Sequence, residues 1–402
     1  MPLYSRSSTA APAIRHLDML RAGAAMAVLL SHARDFTLRD AADQPGLNWA
    51  GRLVFGVSGL GHQAVLVFFV LSGYLVTSSM LRLEKRGRWS LGQFAAARLT
   101  RLWIVLVPCL LGGALLDAAG LAFSRDPGLA AHYGVLAVTE QQPPDFGGAT
   151  LIGNLLFLQT IAVPVYGSNG ALWSLANEAW YYVVAALLFA AWHDRTFPGR
   201  ALFSLGLALA VAAALPGSIL SLAPVWACGA VCAVARPERL YRSRWSALLR
   251  RAAIPVWAAA LLASRLRLGP SAFATDLAIG AATAWLVSVA VAEGNSFVAQ
   301  SGSFAPGRTV SGSLARISYS LYLSHCPLLA LLSALVLDGR RIDFGWTGVA
   351  LLAGGMALSL LLAATVWWAC ERHTEALRAW LTAGRFAARA GRLQSAPEGL
   401  SP

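Results

Sequence analysis

Charge is scarce in this sequence. Only 13% of its 402 residues are Asp, Glu, Lys or Arg, against about a quarter in an ordinary soluble domain. Acidic residues are the scarcer sign, 19 against 32 basic ones. Cysteine is limited to five residues, and Cys109, Cys228, Cys232, Cys326 and Cys370 all fall in apolar stretches. That placement argues against a disulfide framework. Cys228 and Cys232 share a helix face, but no histidine or carboxylate stands near them, so they read as core thiols and no metal is expected. Nothing in the opening residues resembles a cleavable signal peptide, and none is expected. The first 17 residues are short and polar, so the first apolar segment is expected to act as an uncleaved anchor. No internal repeat is visible, and no appended soluble domain is expected at either end.

What is present is apolar chain. Hydrophobic residues make up 57% of the sequence, and the mean hydropathy is +0.59. Disorder is excluded on that ground, and a soluble fold has too little core to hide so much apolar surface. The apolar segments run over 17–38, 60–82, 101–122, 170–192, 200–215, 218–235, 252–268, 272–293, 313–337 and 345–370. A helix needs about 20 residues to cross the hydrocarbon core. Residues 201–235 are broken by Leu215-Pro216-Gly217-Ser218, and 252–293 by Arg265, Arg267, Gly269 and Pro270. Each is read as a helical hairpin. The fold class is therefore an all-α polytopic membrane protein of about ten transmembrane helices.

The net charge of +13 finds its explanation here. With the N-terminus inside, about three-quarters of the basic residues fall on inner loops, as positive-inside topology requires. Both hairpins are flanked by basic inner loops, so both termini are expected in the cytosol. A nucleic-acid partner is not needed to account for the charge, and none is expected.

Ionisable groups inside apolar segments are costly and are functional candidates by default. They are Asp18, Arg21, His32, His62, Asp117, Glu178, Asp276, His325 and Glu371. Asp117 and Asp276 are read as lying near helix ends, and His62 as interfacial. Arg21 and His32 are eleven residues apart, which returns the helix to within about 20° of three full turns. Both side chains leave one face, about 16 Å apart along the axis. Asp18, three residues before Arg21, can pair with it. Glu178 stands at the start of an apolar helix, where a dipole also stabilises a carboxylate. His325 lies mid-segment beside Pro327. Arg98 and Arg101 share a face and can receive phosphates as fixed cations.

Several blocks then carry a resemblance. Leu17-Asp18-Met19-Leu20-Arg21 continuing to His32 resembles the opening block of the membrane acyltransferase-3 family. That family includes O-antigen, exopolysaccharide and Nod-factor acetylases and some macrolide acylases. Phe69-Val70-Leu71-Ser72-Gly73-Tyr74-Leu75 is similar to its second-helix block. Arg98-Leu99-Thr100-Arg101-Leu102 with Pro108 resembles its arginine-rich region, with one arginine fewer and the proline displaced. Asn154-Leu155-Leu156-Phe157-Leu158 and Trp173-Ser174-Leu175-Ala176-Asn177-Glu178-Ala179-Trp180-Tyr181-Tyr182 resemble two further blocks. Ile317-Ser318-Tyr319-Ser320-Leu321-Tyr322-Leu323-Ser324-His325-Cys326-Pro327 resembles another, with Ser324 and Cys326 in place of tryptophans. Glu371-Arg372 resembles the closing block, with His373 where proline is usual.

The resemblance implies an acyltransferase domain over 17–373, between a cytoplasmic segment 1–16 and a cytoplasmic tail 374–402 that is partly disordered. It implies O-acyl transfer, most simply of acetyl, from cytosolic acyl-CoA to a hydroxyl of a cell-envelope or secreted glycan. The setting would be the bacterial inner membrane, and the bilayer itself a partner. Arg21, Arg98 and Arg101 would hold the CoA phosphates. His32 would take the acceptor proton, or be acylated first and pass the group on. Glu178 would orient the imidazole. Ser174, Tyr322 and His325 would line the acceptor side, and Trp173 and Tyr181 would stack on a sugar ring. The competing reading is a transporter or flippase of a lipid-linked sugar, with Arg, His and Glu as a relay. Against it, no pair of broken helices repeats between two halves.

Overall fold

The computed structural model describes residues 11–126, 129, 133, 144–235, 241, 246–301 and 309–381, with side chains described outside 11–15 and 294–301. The expected disorder of the far tail, and the inner-loop cations Arg236, Arg239, Arg242, Arg244 and Arg308, lie outside the described residues. Among the described residues the secondary structure is helical, with only isolated bridges such as Leu38 to Ile342.

The described residues form thirteen α-helices in succession: α1 (Ala11–Thr37), α2 (Trp49–Ser58), α3 (Gly61–Lys85), α4 (Leu91–Phe123), α5 (Gly148–Leu155), α6 (Leu172–His193), α7 (Pro198–Ala214), α8 (Gly217–Leu220), α9 (Ala223–Ala235), α10 (Ser246–Arg265), α11 (Ala272–Ser301), α12 (Val310–Leu337) and α13 (Trp346–Ala369). Their ends follow local chemistry. Asn48 and Thr309 cap α2 and α12 by accepting from the N–H of Gly51 and Gly312. Pro198 opens α7, where its missing N–H costs nothing. Pro216 stops the helix before it. Both expected hairpins are present, as α7 with α8–α9 and as α10 with α11.

Among the described residues, eight helices are long and apolar enough to cross a membrane. Two of the ten expected passes fall outside that set. The α7 helix has only 17 residues. The α1 helix has 27, but Asp18, Arg21 and His32 interrupt its apolar character. The least hydrophobic long helix is the central one. It packs on α3, α11, α12 and α13, so neighbouring helices rather than lipid surround its polar groups.

Two apolar cores share α1. Leu17, Ala24 and Val28 join the larger, built with α3, α4, α6, α9 and α11. Ala25, Leu29, Ala33 and Phe36 join the smaller, with α12 and α13. The crossing of α3 over α9 is set by two glycines. A Cβ on Gly73 would stand 2.1 Å from the Trp226 carbonyl oxygen, and one on Gly229 would stand 1.9 Å from that of Val70. Such close backbone approach is how small residues pack helices in membranes. It fixes Ser72, the neighbour of Gly73, at the interior.

Candidate active site

One cavity gathers the polar residues of five helices. Arg21 enters from α1, Ser72 from α3, Arg98 and Arg101 from the foot of α4, and Ser174, Glu178 and Tyr182 from the first turns of α6. The floor on α12 is Ser318, Tyr319 and Tyr322. Ser174, Glu178 and Tyr182 are spaced by four, so one helix face carries all three.

Glu178 is held by donors. Ser72 Oγ donates to its Oε1 at 2.7 Å, and the Tyr182 hydroxyl donates to the same oxygen in a short bond. Trp226 Nε1 in turn donates to Ser72 Oγ at 3.3 Å. Arg98 donates through one terminal nitrogen to Ser79 Oγ at 2.9 Å. Its guanidinium lies over the rings of Phe94 and Tyr182, at 5.2 and 5.5 Å. Its Nε is buried without a hydrogen-bond partner. A buried donor left open in this way is suited to an anion. Arg21 lies within electrostatic range of Arg101, Asp18 and Glu178. Three guanidiniums therefore surround a cavity holding one carboxylate.

At the other end, Ser174 Oγ and the Tyr322 hydroxyl are 2.6 Å apart. His325 follows one turn beyond Tyr322, with ring centroids 6.1 Å apart. His325 Nε2 meets His32 Nδ1 at 2.7 Å, the two rings nearly parallel. His325 Nδ1 lies 2.8 Å from the Leu321 carbonyl oxygen. A carbonyl only accepts, so Nδ1 of His325 carries the proton. Its Nε2 is then bare in the neutral ring, and His32 must donate to it from Nδ1. The chain of bonds leaves the lone pair of His32 on Nε2. Cys326 Sγ lies beside both rings, 3.5 Å from His32 Nδ1 and 3.4 Å from His325 Nε2.

Pro327 adds a second consequence. It lacks an N–H, so the Leu323 carbonyl four residues earlier has no helical donor. Asn169 Nδ2 supplies one at 2.8 Å. Asn169 belongs to the loop that enters α6, and that loop is clamped elsewhere. Asp117 accepts from Ser168 N at 2.9 Å and from Ser168 Oγ at 2.6 Å. Asn154, wholly buried, donates to the Thr150 and Pro164 carbonyls and accepts from Tyr166 N. Asp117, read from sequence as a helix-end residue, is 1% exposed and works as a loop anchor. His62 and Asp276 pair with each other at 2.9 Å between α3 and α11. Glu371 accepts from Ser320 Oγ at 2.6 Å and so ties the chain after α13 to α12.

The expected residues thus fall into three groups. Arg21, Arg98, Arg101, Ser174, Glu178 and Tyr322 line the cavity. His32 and His325 form a pair one helical turn away. Trp173 and Tyr181 do not line it. Trp173 sits edge-on to Phe69 at 6.3 Å. Tyr181 packs between Phe69 and Trp226, and its hydroxyl donates to the Ile219 carbonyl at 2.6 Å. The partner of His32 is His325, while Glu178 is taken up by Ser72 and Tyr182. Sequence reasoning passed over Ser72, Tyr182 and Asn169 as site-building residues. Tyr182 was detectable, being four residues from Glu178. Asn169 was not, because its partner is 154 residues away.

Comparisons with known proteins identify the family. A family model described as an acyltransferase domain, acyltransferase family 3, matches residues 14–368. An "O-acetyl transferase" of Shigella phage Sf6 is 31% identical over 179 residues, which is 43% of this chain and 45% of that protein. The match thus spans less than half the length of that relative. No solved structure matches the chain.

Proposed function

The chain belongs to the acyltransferase-3 family, a multi-pass membrane acyltransferase, and from that premise we propose that it moves an acetyl group from cytosolic acyl-CoA to a hydroxyl of a cell-envelope or secreted glycan. The observation that carries the reading is that one cavity is lined by three arginines and by Tyr322. Three arginines gather at one end, and Tyr322 at the other leads in one helical turn to the His32–His325 pair. CoA has that shape, an anionic head on a thin arm ending in a thioester.

In this reading Arg21, Arg98 and Arg101 hold phosphates, and the open Nε of Arg98 is one of the donors. Glu178, fixed by Ser72 and Tyr182, holds the guanidiniums in place. The bare Nε2 of His32 takes the proton as the acceptor oxygen attacks the thioester carbonyl, and the CoA thiolate leaves. His325 keeps His32 in the required tautomer, the task a carboxylate performs in a hydrolase triad. The Ser174–Tyr322 hydroxyl pair stands where it can donate to the developing oxyanion. Trp173 and Tyr181 pack the core beneath. Both termini face the cytosol, and the membrane is the bacterial inner membrane.

The test combines two measurements. Glycans from cells with and without the protein are compared by mass spectrometry, and purified protein is given radiolabelled acetyl-CoA and the acceptor so identified. Label moving to the glycan, and lost in a correctly inserted His32→Ala protein, supports the reading. Normal transfer by His32→Ala overturns the mechanism. Absence of any covalent transfer, with the glycan still crossing the membrane, overturns the donor and acceptor.

A further inference from the structure

We propose that His32, His325 and Cys326 form a binding site for a soft divalent cation of the zinc class, and that filling it silences His32. The three ligand atoms lie within 4.8 Å of one another. A tetrahedral zinc ion with its usual bond lengths sets N···S near about 3.6 Å and N···N near about 3.4 Å. The thiol is already 3.5 and 3.4 Å from the two ring nitrogens. Only the 2.7 Å contact between the rings has to open, by about 0.7 Å to reach the zinc spacing.

The surroundings suit a metal as well. His325 donates its other ring N–H to the Leu321 carbonyl, the backing that metal-bound histidines ordinarily have. One thiolate with two imidazoles selects zinc or copper over magnesium or calcium. Three protein ligands leave the fourth position open. His325 and Cys326 are wholly buried, and His32 is half-buried.

Binding requires two proton movements. Cys326 releases its thiol proton to solvent. His32 must offer a lone pair at Nδ1, so its proton moves to Nε2. That is the nitrogen which the proposed function uses as the base. A cation here and a reacting hydroxyl therefore compete for opposite tautomers of one ring. The inhibitory half of the inference rests on that reading of His32, whereas the binding half rests on the geometry alone.

Cobalt(II) titration of the purified full chain in detergent separates the two halves. The expected result is one thiolate-to-cobalt charge-transfer band with tetrahedral d–d absorption, displaced by zinc. Cys326→Ser should lose the band and bind zinc more weakly by over about 100-fold, since even an outer partner of a metal ligand is worth about 10–100-fold. No thiolate band in the wild type, or a band that persists in Cys326→Ser, overturns the site. Zinc should also stop acyl transfer by the wild type. A cobalt band that depends on Cys326, with transfer unaffected by zinc, upholds the site and overturns the assignment of His32 as the base.

Discussion

His32 Nδ1 and His325 Nε2 lie 2.7 Å apart although 293 residues separate them in the chain. The contact joins the first long helix to the twelfth. It converts a backbone carbonyl on α12 into control over which nitrogen of His32 is free, through one imidazole acting as a relay. His32 alone has two interchangeable tautomers. Bonded in this way, it has one, with the lone pair on Nε2.

Replacing His32 by Ala is expected to lower the transfer rate by about 10²–10⁴-fold, the usual worth of a general base. His325→Ala should cost less, roughly 100-fold, because the base remains but its tautomer is no longer set. His325→Gln, which can still offer an acceptor oxygen to His32 Nδ1–H, should recover part of that loss. Rates on a fixed acceptor with purified variants check the order.

Arg98→Ala should raise the apparent KM for acyl-CoA by about 10–100-fold with kcat little changed, as loss of a charged hydrogen bond to a bound substrate does. Arg98→Lys should not restore it, because an ammonium cannot reproduce the planar fork held over Phe94 and Tyr182. Steady-state kinetics with varied acyl-CoA distinguish this from a role in the chemical step. An unchanged KM would remove Arg98 from the donor site.

Gly73→Val should lower the thermal unfolding midpoint in detergent. The added Cβ alone would stand 2.1 Å from the Trp226 carbonyl oxygen, and forced overpacking costs about 1–3 kcal/mol. Gly217→Ala, where nothing stands within 4 Å of a new Cβ, is the control and should leave the midpoint within error.

Asn169→Ala leaves the Leu323 carbonyl, freed by Pro327, without its donor. An unmet buried acceptor costs about 1–3 kcal/mol. The expected outcome is a lower unfolding midpoint together with slower transfer, because the Asn169 contact joins the entrance of α6 to the turn of α12 that bears His325. Asp117→Ala should act in the same direction through Ser168. A fall in midpoint with transfer unchanged would confine both residues to stability.

The sequence by itself determined much of this protein. Helix length and hydropathy mark eight of the ten expected spans among the described residues, because a membrane permits few alternatives to a helix that satisfies its own backbone. The breaks at Pro216 and at Gly269-Pro270 were legible, since local chain chemistry decides them. The shared face of Arg21 and His32 follows from helical periodicity alone. The scarcity of charge, a matter of composition, let the buried exceptions be counted. Tertiary structure decided their partners. Glu178 went to Ser72 and Tyr182 rather than to His32, because α3 crosses α9 closely at Gly73 and Gly229 and brings Ser72 inward. Tyr181 and Trp173 became core, because Phe69 and Trp226 of other helices close over them. Asp117 became a loop anchor rather than a helix-end charge. Cys326 read as one thiol among five, and only the packing of α1 on α12 set it beside two imidazoles. Periodicity tells which face of a helix a residue occupies. What stands opposite is decided by contacts hundreds of residues apart, for which the chain carries no local signal.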